Sequence, residues 1–260
     1  MDSSSIVLAG FIASTCASVG TALGSLGVFF IQSLSRRLED GLLSLAAGIM
    51  LAATFFSLLL PSIEYGTALY ASDIAGALVA GAGVLVGAFL LFFIHQTVPH
   101  EHFVSGRDGA SDKQLARIWL FVIAITLHNF PEGLAVGVGF AGGEMANGLS
   151  LALGIGIQNV PEGLAVSVAL MSVGYSRTKS AAIGIASGLV EPVGGLLGAV
   201  AVSGAEVFMP WALAFSAGAM LFIISDEIIP ETHQNGNQNI ATFSLIIGFV
   251  VMMLLDIVLG

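Results

Sequence analysis

The sequence predicts an all-α integral membrane protein that crosses the bilayer eight times. Of its 260 residues, 56% are hydrophobic and only 9% charged, whereas a soluble domain carries roughly 25% charged residues to coat its surface. The mean hydropathy is +0.97. The apolar runs are continuous and rich in glycine, without the two-residue alternation of a membrane barrel, so helices must satisfy the backbone in lipid. At about 20 to 25 residues per crossing, the length accommodates the spans and their connections as a single transmembrane domain over 1–260, with the lipid bilayer as its surroundings. Nucleic acid is excluded as a partner, because seven Lys+Arg against seventeen Asp+Glu cannot neutralise a phosphate backbone. The single Cys16 excludes an internal disulfide and a thiolate metal cage.

Prolines, glycines and charges divide the chain into helices near 6–34, 41–61, 73–98, 118–142, 147–172, 179–203, 208–230 and 241–259. The first run exceeds the apolar core of a signal peptide and has no basic residue before it, so it stays as a helix. The Arg36-Arg37 pair separates it from the second, which stops at Pro61. The third ends before Pro99. The fourth and fifth are joined by the short GGEMAN turn at 142–147 and therefore run antiparallel. Arg177 and Lys179 precede the sixth, the seventh is bounded by Pro210 and Pro230, and the eighth carries Asp256 near its end.

Basic residues set the orientation. Arg36 and Arg37, then Arg107, Lys113 and Arg117, then Arg177 and Lys179 fall on three connections that share one face. The positive-inside rule makes that face cytoplasmic. Both termini are then outside, in a multi-pass protein of the cell's plasma or inner membrane. The connection 99–117 is the only long one, and its His100-Glu101-His102 triplet reads as a metal-handling mouth or as a solvated polar loop.

A repeat marks the middle of the bundle. HNFPEGLAVGV begins at His128 and QNVPEGLAVSV at Gln158, with seven of eight positions recurring between 129–136 and 159–166. Chance matching of low-complexity apolar sequence does not produce a repeated Asn-x-Pro-Glu. Both motifs sit near mid-span on antiparallel helices, an inverted, pseudo-symmetric arrangement that lets them face one another at the bilayer midplane. The pairs His128 with Glu132 and Gln158 with Glu162 are four residues apart, and Asn129 and Asn159 lie three before the same glutamates. Each helix thus shows three polar side chains on one face.

Prolines strengthen the reading. Pro131 and Pro161 take a donor from the carbonyls of Leu127 and Ile157, and Pro192, after Glu191 in the sixth helix, does the same to Gly188. Such oxygens are tolerated at membrane depth where they line a cavity or meet a cation. A mid-membrane carboxylate costs at least about 2.5–3.5 kcal/mol, and no Lys or Arg inside a helix offsets it. Glu132, Glu162 and Glu191 therefore need protons or a cation. One imidazole, three carboxylates and amide oxygens suit zinc, iron(II) or manganese and disfavour copper(I); the rival reading is a purely structural polar network.

These residues resemble the ZIP (Zrt/Irt-like) metal transporters, in particular the GufA-like branch. The likeness rests on HNFPEG at 128–133, QNVPEG at 158–163 and SGLVEP at 187–192 and extends over essentially the whole chain. It implies eight helices, both termini outside, and a metal site at the midplane between helices 4, 5 and 6. His128, Glu132, Gln158 and Glu162 are then implied as ligands, with Met50 as a soft one. Asn129, Asn159 and Glu191 are implied at a neighbouring position, bridged by Glu132 and Glu162. Many relatives carry His at the place of Gln158 and some Asp at that of Asn159, and neutral amides bind divalent ions less strongly. The resemblance implies movement of Zn2+, or of Fe2+, Mn2+ or Cd2+, into the cytoplasm by an elevator motion, with no catalytic cofactor, and a homodimer.

Other residues are open to two readings. Asp256 attracts cations at the outer entrance or is an interfacial carboxylate. Asp226, Glu227 and His233 receive released metal at the inner end of the seventh helix or are solvated helix-end residues. His95 is a pathway ligand or a packing histidine, and Met50 taken alone is core. Two functions compete with divalent-metal transport: an intramembrane metalloenzyme, disfavoured because Asn129 follows His128 where H-E-x-x-H is needed, and a proton-coupled transporter of an organic solute.

Overall fold

The computed structural model describes residues 3–31, 35–97, 112–140, 145–203 and 206–259. Eight helices are long and apolar enough to cross a membrane, and among the described residues there is no strand. We number them α1 (Ser3–Phe29), α2 (Arg36–Tyr70), α3 (Asp73–Thr97), α4 (Asp112–Gly139), α5 (Met145–Ser172), α6 (Arg177–Ser203), α7 (Met209–His233) and α8 (Gln238–Leu259). An even number of crossings leaves both termini at one end of the bundle, called here the terminal end; the connection between α7 and α8 lies at the other, the loop end.

Several helices end where the sequence does not place the boundary. Helix α1 was expected to continue to 34 but closes in a 3-10 turn at Gly27–Phe29, where the Phe30 N–H donates to the Gly27 carbonyl. Helix α2 starts earlier than 41, because the Ser35 hydroxyl accepts from the Leu38 N–H and caps it. It also runs past Pro61. A π-helical segment, Thr54–Leu59, precedes that proline and places it in the first turn of the α-helical stretch Leu60–Tyr70. The hydrogen-bond ladder already changes register there, so a missing N–H does not end the helix. The same device recurs in α7, where the π segment Ile224–Ile228 carries the helix through Pro230 to His233.

Helix α6 is the opposite case. It breaks at Leu189, between the segments Arg177–Gly188 and Val190–Ser203, and places Glu191 in the first turn of its second half. Pro192 crowds the carbonyl of Gly188, and no π turn absorbs the clash. Helices α4 and α5 continue through Pro131 and Pro161.

The helices pack as two groups. Helices α1, α4, α5 and α6 lie against one another; α8 lies along α2, and α7 along α3. Glycines show how closely. A Cβ on Gly133 or Gly194 would overlap the carbonyl oxygen of Glu191 or Phe130 and so collide across the α4 and α6 pair. Reciprocal overlaps join Gly48 with Leu245 and Gly248 with Leu45 across α2 and α8. Between the groups the contacts change character: Gly154 of α5 meets only side chains, those of Met252 and Ile49. Backbone approach at small residues binds membrane helices tightly, so each group is knitted backbone to backbone and the boundary between them is not. At the loop end, Asn235 and Asn237 donate to the two oxygens of buried Asp40 at 3.0 and 2.8 Å, tying the α7–α8 connection to α2.

Candidate metal centre

The repeat in α4 and α5 and the break in α6 bring seven polar side chains into the interior of the first group. His128, Asn129, Glu132, Gln158, Asn159, Glu162 and Glu191 are each at most 2% exposed. Two turns of helix on each of two antiparallel helices suffice to aim six of them inward, because residues three and four apart share a face. Glu191 joins from the first turn of a broken helix.

Hydrogen bonds link the three helices. The Gln158 amide donates to Glu132 Oε1. Asn159 Nδ2 donates to Glu191 Oε2 at 2.8 Å and to the carbonyl of Ala17 in α1 at 3.1 Å. Asn129 Nδ2 donates to the Ser187 carbonyl at 2.8 Å, beside the break in α6. His128 Nε2 lies 3.3 Å from Glu227 Oε2 of α7, which joins the first helix group to the second.

Seven buried oxygens remain without a hydrogen-bond partner: Asn129 Oδ1, Glu132 Oε2, Gln158 Oε1, Asn159 Oδ1, both oxygens of Glu162, and Glu191 Oε1. All are acceptors. An unsatisfied buried acceptor costs about 1–3 kcal/mol, more when charged, so seven in one interior are not explained by packing. They present electron pairs to a species that brings no acceptors of its own. Among the described residues, no three His, Cys, Asp or Glu side chains form a ready metal cage. The amides account for this: Gln158 and Asn159 each hold an oxygen of the carboxylates that such a cage would use.

Apolar residues flank the cluster on the terminal side. Ala135, Val136, Val138 and Phe140 follow the motif in α4 toward that end, Leu151 and Ile155 precede it in α5, and all belong to a buried core shared with Met50, Ile223 and Met252. Met50 is fully buried in that core, and its carbonyl accepts from the Thr54 hydroxyl at 2.7 Å. Toward the loop end, by contrast, Asp226 is exposed and the Glu227 side chain is 21% exposed. The polar cluster is thus covered by apolar core on the terminal side, and Glu227 of α7 meets it from the other.

The remaining pathway residues sort by position. Glu227, which the sequence left open between receiving metal and a solvated helix end, is the one brought to the cluster, through its contact with His128. His233 is held elsewhere: Nδ1 is 2.9 Å from the Ile229 carbonyl and Nε2 3.2 Å from Thr242 Oγ1, joining the ends of α7 and α8. Asp256 lies at the terminal end and accepts from Ser57 and Ser150. The side chain of His95, and all of His100 and His102, fall outside the described residues.

Comparison with known proteins places these motifs in company. Residues 96–256 match the family described as ZIP Zinc transporter. The chain is similar to the zinc transporter GufA of Myxococcus xanthus, 44% identical over 97% of this chain and 99% of that protein. It is similar to the zinc transporter ZIPB of Bordetella bronchiseptica, 43% identical over 92% of this chain and 78% of that protein. Human zinc transporter ZIP11 is 36% identical over 92% of this chain and 94% of that protein.

Proposed function

Because the chain belongs to the ZIP zinc transporter family, we propose that it carries divalent metal ions, zinc foremost, across the membrane into the cytoplasm. The observation that carries this reading for the chain's own residues is the set of seven buried oxygens without donors on α4, α5 and α6. The relatives' names supply the cargo: GufA, ZIPB and ZIP11 are each named zinc transporters.

His128, Glu132, Gln158 and Glu162 form one position for the cargo, with the Met50 thioether as a soft addition from the apolar side. Asn129, Asn159 and Glu191 form the neighbouring position, with Glu132 and Glu162 shared. An arriving cation takes the carboxylate oxygens that the Gln158 and Asn159 amides now hold. Each amide can turn its own oxygen toward the metal, since one end of the group donates and the other accepts. Neutral amides in two places make this centre less selective than one of imidazoles and carboxylates alone, so Fe2+, Mn2+ and Cd2+ compete with zinc.

The basic connections at the loop end put that end in the cytoplasm and both termini outside a plasma or inner membrane. Exposed Asp226 and half-buried Glu227 then line the way in from the site. Movement follows the group boundary. Helices α1, α4, α5 and α6 carry the cargo as one unit, and α2, α3, α7 and α8 form the scaffold along which it slides. Support comes from the glycine contacts, which fix backbone to backbone within α4 and α6 and within α2 and α8, while Gly154 meets the scaffold through side chains.

The test is zinc entry into liposomes that contain the purified protein and a zinc-sensitive dye, compared with Glu162→Ala. Both oxygens of Glu162 lack a partner, so the substitution removes a ligand without freeing a donor. Uptake is expected to fall at least about tenfold, the lower bound seen when even an outer partner of a metal site is lost. Equal rates for the two proteins would sink the transport reading.

A further inference from the structure

At the terminal end, four residues tie the two helix groups together. Ser57 Oγ donates to Asp256 Oδ1 at 2.6 Å, and Ser150 Oγ donates to the same oxygen at 3.3 Å. Asn147 Nδ2 donates to the Ser57 carbonyl at 3.2 Å. Ser57 belongs to the π segment of α2 and Asp256 to α8, both in the scaffold, whereas Asn147 and Ser150 open α5 of the other group. Ser57 and Ser150 are fully buried. The Ser57 carbonyl lies in the widened π turn ahead of Pro61, and an asparagine from the moving unit donates to it.

We propose that Asn147, Ser150, Ser57 and Asp256 form a latch that holds the terminal end closed, and that the latch must open in every transport cycle. The inference deepens the transport reading and rests on it. Its physical basis is that α5 cannot slide along α2 and α8 while two hydrogen bonds, one of them to a carboxylate, span the boundary, with the Ser57–Asp256 bond fixing the acceptors within the scaffold. The Ser150 bond to Asp256 is charge-assisted, which strengthens it relative to a neutral pair of the same geometry. Both spanning bonds sit at the end that the apolar core covers, where the two groups must separate to admit cargo. The four are positioning residues: none belongs to the polar cluster of α4, α5 and α6.

The test uses full-length protein with Cys16→Ser and the pair Ser57→Cys and Ser150→Cys, whose side chains meet at one oxygen of Asp256. A short bifunctional methanethiosulfonate is expected to join the pair, to lower zinc uptake into dye-loaded liposomes by at least about tenfold, as locking a gating step should, and to be reversed by a reductant. Failure of the pair to cross-link, or full uptake by the cross-linked protein, would overturn the latch. A second protein, Asn147→Ala with Ser150→Ala, keeps the question decidable if the reduced cysteine pair is already inactive. A latch predicts that its maximal rate changes by about threefold or more while equilibrium zinc binding stays within about twofold, since a gate moves rate and not site affinity. A merely structural tie would lower the melting temperature and leave the maximal rate per folded molecule unchanged. Wild-type protein that admits no zinc would bring down the transport reading first, and the latch with it.

Discussion

Gly133→Ala is expected to be among the most costly single methyl additions at the described glycines. The added Cβ would overlap the carbonyl oxygen of Glu191 and lie 2.7 Å from its carbonyl carbon and 2.9 Å from its Cα. Those are backbone atoms of α6, not the end of a flexible side chain, so α4 and α6 must move apart. Overpacking a core costs typically 1–3 kcal/mol and occasionally more. Here the strain falls on the first turn of a broken helix, beside a buried carboxylate. The expected outcome is a melting temperature in detergent lowered by several degrees, or loss of monodisperse protein, together with loss of zinc uptake because Glu191 is displaced. Gly81→Ala is the control. Nothing lies within 4 Å of its Cβ position, and replacing a helical glycine there should be neutral or stabilising by about 0.5–1 kcal/mol. Equal melting temperatures for the two variants would show that the α4 and α6 backbones do not pack as closely as described.

Glu132→Gln is expected to abolish transport while leaving the fold intact. The Gln158 amide donates to Glu132 Oε1, and a glutamine at 132 can present its own oxygen to that donor, so the contact between α4 and α5 survives. What disappears is one negative charge and the strongest electron pair at the position that the two proposed metal positions share. Loss of an outer partner of a metal ligand costs about 10–100-fold in affinity, so loss of a shared ligand's charge should reach at least the upper figure. Zinc uptake and equilibrium zinc binding should fall together, and the melting temperature should stay near that of wild type. Glu132→Ala separates the two effects, because it also strands the Gln158 donor, at about 1–3 kcal/mol. Full uptake by Glu132→Gln would remove Glu132 from the cargo site.

The sequence disclosed the polar cluster because its signal is local. Helical spacing alone puts His128, Asn129 and Glu132 on one face, and the repeat thirty residues later supplies the opposing face. Prolines beside Glu132, Glu162 and Glu191 mark depth because a polar or broken backbone is tolerated in lipid only with a purpose. Proline was less reliable as a boundary. Pro61 and Pro230 read as stops, yet both lie within continuous helices, since a π turn depends on which neighbours can accept the displaced carbonyls and leaves no trace in hydropathy. The contacts of the two π segments were not legible either, because His128, the partner of Glu227, is almost a hundred positions away, and Asp256, the partner of Ser57, about two hundred. The division into helices 1, 4, 5 and 6 against 2, 3, 7 and 8 was reachable only beside the family resemblance, because glycine content by itself does not say which glycine meets which backbone.

The two π segments have a consequence at the level of the gene. A π turn holds one residue more than the α turn it replaces, so Thr54–Leu59 and Ile224–Ile228 are each equivalent to one inserted codon in an otherwise regular helix. Deleting a single codon in either would restore plain α-helix, keep the register of the residues beyond it and remove the widened turn itself. Ser57 and Glu227, which reach across to Asn147 and His128, sit inside those two insertions. These two contacts between the helix groups therefore rest on widened turns that reading one residue fewer would remove.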